Sequence, residues 1–305
     1  MSRGSFALGG ALAICFAVLP RLRRAKFFYA AMTALAAPGF AQTAAGLCPV
    51  DGSRRGTVVS VNERLELTLA DGLRLKIAAV DPPRPTPGNS ELDILARDLL
   101  AQWLVGQDIA FRPLELGVDR WGRTPAFVFA PLQEAAKVPE QPSLPVGEAL
   151  LDAGLARYEP GPAARPCKAP LLAAEAAARA AGLGLWADPY YAIIAASYHG
   201  AFAERAGTSV VVEGRVIGVD QGAYRTMLLF GPRRGWDFSV TILQRNTKIF
   251  SAAEFDFNSF KGRMIRVRGL LDMRFGPQVK VSNPDEIEAI TQERDEAGPD
   301  SAPRR

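Results

Sequence analysis

Leu65, Leu67 and Leu69 alternate with Glu66 and Thr68 in the segment GTVVSVNERLELTL, a period of two that predicts a half-buried strand. ADGLRLKIAAV follows, and its Asp71-Gly72 pair predicts a tight hairpin between two apolar runs. NSELDILARDLLAQWLVGQ then changes to a helical period, with Ser90 as N-cap, Leu92, Leu95, Leu99 and Trp103 as the apolar face, and Gly106 as the stop. DIAFRPLEL and TPAFVFAPL predict two more strands, joined by GVDRWGR. Beyond a proline-rich stretch from Pro131 to Pro145, VGEALLDAGLARY and APLLAAEAAARAAGLGLW predict two helices, the second ending at Gly182 and Gly184. The order is strand, strand, helix, strand, strand, helix, helix, with a small first strand near Thr57.

A different rhythm begins after residue 188. Residues 189–207 predict a linker with some helix. From 208 to 290 short apolar runs recur between turn signals (SVVVEGRVIGVD, YRTMLLFG, DFSVTIL, GRMIRVRGLLDMRFGPQVKVSN), as in a second small barrel or sandwich. The tail, residues 291–305, is polar and proline-bearing and is predicted to be disordered. The expected class is mainly β with α (α+β).

The first 41 residues are read as a leader. Arg21, Arg23, Arg24 and Lys26 precede FFYAAMTALAAPGFAQ, which has the basic, apolar and small-residue order of an export signal ending near Ala41. An earlier apolar run, FALGGALAICFAVLP, implies either a start codon placed too early or a short anchor. Neither run reaches the roughly 20 residues of a comfortable membrane-spanning helix. The expectation is export to the periplasm or anchoring at the inner membrane, with membrane contact only through an uncleaved leader.

Cleavage changes the charge picture. Removing the five basic residues of 1–41 leaves 31 basic against 32 acidic residues, so the basic balance of the full chain is no argument for a nucleic-acid partner. What cationic excess remains lies in 208–290, with 12 basic against 9 acidic residues. Cys48 and Cys167 remain after the leader, an even pair that an oxidising compartment would join in a disulfide; two separate buried thiols are the alternative.

Candidate chemistry concentrates in IAAVDPPRPTPG, where a strand-like run ends on Asp81 and two prolines lead to Arg84. Elsewhere it is sparse. His199 has no cysteine or serine constellation, and no glycine-rich phosphate loop or C-x-x-C is present.

Several segments, in order, resemble the thermonuclease (staphylococcal-nuclease-like) family over roughly residues 55–188. LADGLRLKIAAVDPP is similar to a strand pair ending in V-D-x-P-E, and DRWGRTPAFVF to D-x-Y-G-R-x-x-A. GEALLDAGLARY is similar to the "GLA" element, and AAEAAARAAGLGLW to the closing helix with its G-L-W end. The resemblance implies an OB-type β-barrel capped by helices and a calcium-dependent phosphodiesterase chemistry. There a glutamate is the general base on water and two arginines stabilise charge at phosphorus. By resemblance, the calcium positions fall on Glu63, Asp81 and the carbonyl of Pro82, and the catalytic positions on Lys76, Arg84 and Arg123.

The carry-over is uneven. Arg84 stands where the base should be, and a guanidinium is already protonated at pH 7 and cannot accept a proton. Losing a general base costs on the order of 10² to 10⁴ in rate. Lys76 replaces an arginine and lacks its bidentate fork. Asp81 is therefore expected to salt-bridge Arg84 or Lys76. Glu91 is the only nearby replacement base and reads better as a helix N-terminal acid. Asp119 reads as a turn or salt-bridge residue, and Trp121 as packing.

The 208–290 segment resembles an OB-like module of exported bacterial relatives. Arg263, Arg266, Arg268 and Lys280, with Phe230, Trp236 and Phe238, are a candidate groove for single-stranded nucleic acid; a solvated strand face is the plainer reading. The function expected is an exported binding or scaffold protein, contacting nucleic acid or an envelope partner, with a degenerate nuclease site and no cofactor. The alternative is an active calcium-dependent nuclease on DNA or RNA, with calcium held at the positions named.

Overall fold

The computed structural model describes residues 53–114, 117–131 and 143–290. The leader, Cys48 and the tail lie outside the described residues. Among the described residues no helix is long and apolar enough to cross a membrane.

The first barrel closes from five strands. β1 (Arg54–Val61), β2 (Glu66–Leu69) and β3 (Arg74–Ile77) form an antiparallel meander. The Asp71-Gly72 turn joins β2 to β3, with Gly72 at φ 84°, a left-handed conformation glycine adopts without strain. A short strand, β4 (Val80–Asp81), leaves the barrel and is followed by helix α1 (Leu92–Leu104). β5 (Asp108–Pro113) then pairs with β1, and β6 (Thr124–Pro131) pairs with β5 and, in parallel, with β3. That last pairing closes the circuit β1-β2-β3-β6-β5. β7 (Ser143–Pro145) extends the sheet beside β6 and runs into α2 (Val146–Asp152). β8 (Arg157–Tyr158) pairs with β4, and α3 (Lys168–Ala180) packs behind it.

The α1 face differs from the sequence prediction. Leu92, Ala96, Leu100 and Leu104, spaced by four, are the buried stripe, whereas Leu95 is 49% and Leu99 42% exposed. The small Ala96 lies in the middle of that stripe, which runs between Leu92 and Leu104 and leaves Leu95 and Leu99 on the other side. The helix also starts at Glu91 with no side-chain cap, so Ser90 is not the cap.

Two glycines explain the family-like GLA and GLGLW segments. Gly154, at φ 66°, and Gly184, at φ 53°, pass so closely that a Cβ on either would lie 2.2 Å from the other segment's backbone oxygen. The Leu185 N–H donates to Gly154 O at 2.9 Å across this crossing. No side chain fits there.

Residues 189–207 are more than a linker. They contain β9 (Ile194–Ala195), which pairs in parallel with the second sheet, and α4 (Gly200–Glu204). The second sheet runs through β10 (Ser209–Arg215), β11 (Gly218–Gln221), β12 (Arg225–Leu229), β13 (Ser239–Leu243), β14 (Met264–Asp272) and β15 (Gln278–Val281). A short helix, α5 (Thr247–Ala252), sits between β13 and β14, and β16 (Ile287–Ala289) adds to β14. The chain bends between β10 and β11, where the Val216 N–H donates to Arg263 O and the Ile217 N–H to Leu229 O. One bent strand thus joins both ends of the path β12-β13-β15-β14, repeating the pairing order of the first barrel. Each barrel has its own apolar core. Leu67, Leu75, Ile109 and Phe129 belong to the first, and Phe202, Phe238, Ile242 and Val267 to the second.

Candidate functional site

Asp81 reaches its position through a local reversal. Ala79 adopts φ 60°, unusual for a residue with a Cβ and costing on the order of 1 kcal/mol. It turns the chain away from β3, so that β4 pairs with β8 and Asp81 lies opposite Arg157. Arg157 Nη2 sits 2.7 Å from Asp81 Oδ2 and also donates to Ser209 O, the first residue of β10, at 3.1 Å. Arg84 contacts Asp81 Oδ1 more loosely, at 3.8 Å. Its backbone is fixed instead: the Arg84 N–H donates to Tyr191 Oη at 2.7 Å, and that hydroxyl donates to Arg84 O at 3.0 Å. The expected salt bridge at Asp81 therefore forms, but its main partner is Arg157, which the sequence reading did not name. Lys76 turns elsewhere and pairs with Glu159 at 2.6 Å.

Arg123, the position whose arginine is kept, occupies a separate, buried cluster. Its guanidinium contacts Glu66 Oε1 at 2.5 Å and Asp119 Oδ2 at 2.7 Å. Glu66 also accepts from Asn62 at 2.9 Å and from Arg74 at 2.8 Å. Burial pushes the Glu66 carboxyl up, but the bonds from Arg123, Asn62 and Arg74 outweigh it and leave it lowered. Asp119 builds the DRWGR turn by accepting the Trp121 and Arg123 N–H groups, which bears out the turn and salt-bridge reading. Hydrogen bonding from the Arg123 side chain lowers its carboxyl to about 2. Trp121 is exposed, with the Arg120 and Arg123 guanidinium carbons 4.0 and 4.6 Å from its ring, so it is not packing.

The residues do not fit a calcium ion. Glu63 lies on the exposed turn before β2 and pairs with Arg97 of α1 at 2.8 Å. Glu91 is exposed at the start of α1, with its N–H bonded to Asn89. Both oxygens of Asp81 face guanidinium groups, and Pro82 follows it directly. Among the described residues no group of three or more His, Cys, Asp or Glu side chains is placed to hold a metal. A hard dication needs several converging oxygens, which these positions do not supply.

The candidate nucleic-acid residues of the second barrel are also engaged. Arg268 is buried, bonding Glu175 of α3 through Nη1 at 2.9 Å and Nη2 at 2.5 Å. Arg266 pairs with Glu213 at 2.8 Å and Glu288 at 3.6 Å, and Lys280 with Asp272 at 2.5 Å. Arg266 and Arg268 do share a sheet face, as both reach Glu288. That face meets acids of the same chain, so it is no open phosphate track. Phe238 is a core residue with Phe230 packed on it; Trp236, Arg263 and the Asp272-paired Lys280 remain exposed. His199 bonds Asp237 at 2.8 Å beside Trp236. Cys167 is fully buried in the first core; its expected partner, Cys48, is outside the described residues.

Sequence reasoning missed the contacts between the barrels. Glu175 is 0% exposed, and besides Arg268 it accepts the Tyr158 N–H at 2.9 Å. Asp285 of the second barrel takes Arg165 at 2.9 Å and Lys168 at 3.4 Å. The only signal was one glutamate in an alanine-rich helix and one arginine in an apolar strand, and nothing local pairs them across 93 residues. Between the barrels lies a cleft of about 350 Å³, walled by Asp81, Arg84, Arg157 and Glu159 on one side and Ser209, Arg268, Leu270 and Lys280 on the other.

A search among curated proteins returns no match. A family model described as staphylococcal nuclease homologue matches residues 74–188, which span β3 to the end of α3 and the GLW segment. The strands β1 and β2 that complete the barrel, and the whole second barrel, lie outside the match. The closed barrel, the GLA–GLGLW crossing and the placement of Asp81 at a strand end agree with that match: the chain carries a thermonuclease-like domain over residues 74–188.

Proposed function

We propose that this is an exported, non-hydrolytic thermonuclease-like protein, which binds a partner through a site that has lost its metal and its base. The observation that carries the reading is the Arg157–Asp81 ion pair at 2.7 Å. It engages Asp81, an aspartate that stands at a family calcium position. Arg84 adds a second cation where a base is required, and Coulomb repulsion from the two guanidinium groups opposes entry of a dication. Arg123, needed at the scissile phosphate in the family chemistry, is held between Glu66 and Asp119.

Nucleic acid is the coarse partner class that a thermonuclease-like domain suggests. An envelope protein is the other class, following from export. Calorimetric titration of calcium chloride into the protein tests the reading. It predicts no saturable heat at millimolar calcium, whereas a one-to-one isotherm that disappears in Asp81→Asn would refute it. Export is tested by fractionating cells that express the full chain with a C-terminal tag: periplasmic or inner-membrane recovery agrees, and cytoplasmic recovery at full length does not.

A further inference from the structure

We propose that one end of the second barrel is a membrane-contact surface, where Trp236 and Phe275 enter the interface of an anionic phospholipid bilayer and the arginines beside them meet its headgroups. The contact is peripheral, lies on a folded barrel and is independent of the Asp81 site.

The first ground is a convergence of exposed aromatic side chains. Trp236 is 59% and Phe275 69% exposed, yet they come from separate loops, residues 230–238 between β12 and β13 and residues 273–277 between β14 and β15. The loops touch through their glycines. Gly276 has φ 96°, and a Cβ on it would lie 2.2 Å from Gly235 O, so no side chain fits between them. Tyr198, also exposed, adjoins from a third segment: its neighbour His199 has its ring 5.9 Å from that of Trp236. Single exposed apolar residues are ordinary on a protein surface, whereas a cluster marks a contact site.

The fold holds this tip in shape. Asp237, directly after Trp236, accepts the Arg233 N–H at 2.7 Å and bonds His199 at 2.8 Å. A tip fixed before contact has little ordering left to lose on binding.

The second ground is charge. Arg233, Arg234 and Arg274 flank the aromatics in the same two loops, and all three are exposed. The only acid of those loops is Asp237, whose side chain is 9% exposed and committed to the contacts just described. Asp220 of β11 pairs with Arg234 at 2.8 Å from outside them. Exposed cations with their one acid withdrawn complement anionic headgroups, and tryptophan and tyrosine settle at headgroup level. Nucleic acid fits this barrel less well, because Arg266, Arg268 and Lys280 are held by acids and leave no continuous track for phosphates.

The experiment uses the full chain, whose four tryptophans are Trp103, Trp121, Trp186 and Trp236. It is titrated with vesicles of phosphatidylcholine and phosphatidylglycerol whose acyl chains carry bromine close to the headgroups, which quenches tryptophans that enter the interface. Quenching by the anionic vesicles is expected, reduced by high salt. Trp236→Phe should abolish it, although the leader, common to both proteins, is still present. Arg274→Gln should raise the lipid concentration at half-quenching about fivefold, the worth of one cation near an anionic surface. Phe275→Ser should raise it about fivefold or more, from apolar area left outside the interface. Arg245→Gln, an exposed charge beyond the other end of β13, should change nothing. Quenching that is absent, undiminished in Trp236→Phe, or equally strong without phosphatidylglycerol would overturn the proposal. So would Trp236 fluorescence that responds to a single-stranded oligonucleotide, or to self-association, but not to lipid. None of these outcomes bears on calcium binding or on the Asp81–Arg157 pair.

Discussion

Arg157 Nη2 bonds Asp81 Oδ2 at 2.7 Å and, from the same nitrogen, the Ser209 carbonyl of the second barrel at 3.1 Å. One guanidinium thus neutralises the inherited carboxylate and ties the neighbouring barrel to it. Replacing Arg157 by Met keeps much of its volume but leaves Asp81, only 15% exposed, without its main counter-charge. The expected loss is about 3 kcal/mol in urea unfolding, the lower end of the range for breaking a buried pair, since both side chains keep some exposure. The double variant Arg157→Met with Asp81→Asn should recover part of it. A loss below about 0.5 kcal/mol, ordinary for a surface pair, would show that the contact is incidental.

Glu175 and Arg268 form the buried link between the barrels. Arg268→Met leaves the fully buried Glu175 carboxylate only the looser contact to Arg179 at 3.7 Å, and about 3–5 kcal/mol of destabilisation is expected. Glu175→Gln, which keeps an acceptor for the Tyr158 N–H, should cost less. Limited proteolysis reads the same event locally: in Arg268→Met, cleavage in residues 189–207 should precede loss of either core. Unchanged proteolysis and stability would contradict a shared interface.

Most of the first barrel is legible in the sequence because its strands alternate and its turns carry Asp-Gly and glycine signals. The α1 face was misread because Leu95 and Leu99 outweigh Ala96 on any hydrophobicity count, while the buried stripe runs through the small residue. The candidate site was legible only as family positions. Arg84 was the informative substitution, but Arg157, Glu66 and Glu175 act through pairings 57 to 93 residues apart, which no local pattern encodes. The basic strand of the second barrel suggested a groove because its acidic partners lie on other elements.

Asp119 should titrate near 2, held down by its bond from Arg123. Its folded value lies below its unfolded one, so its contribution to stability is fully present above about pH 4. That contribution is lost as the pH falls from about 4 toward 2, the unfolded and folded values. Carboxyl-carbon NMR titration measures this directly. In Arg123→Gln the midpoint should rise toward the ordinary aspartate range; an unchanged midpoint would assign the shift to the turn amides alone.

Cys167 lies in a dry core, and pairing with Cys48 would close a long loop of the unfolded chain, worth a few kcal/mol at most. Intact mass under non-reducing conditions should fall about 2 Da below the reduced mass, the two thiol hydrogens lost on forming the bond. Alkylation of both cysteines without reduction would exclude the bond.

The central claim is that the family site no longer hydrolyses phosphodiesters, because Arg84 replaces the base and Asp81 is committed to Arg157. Purified protein incubated with denatured DNA and with RNA, across a calcium titration with a chelated control, tests it most directly. The prediction is cleavage no faster than the chelated control at any calcium concentration; calcium-dependent cleavage that chelation abolishes would contradict it.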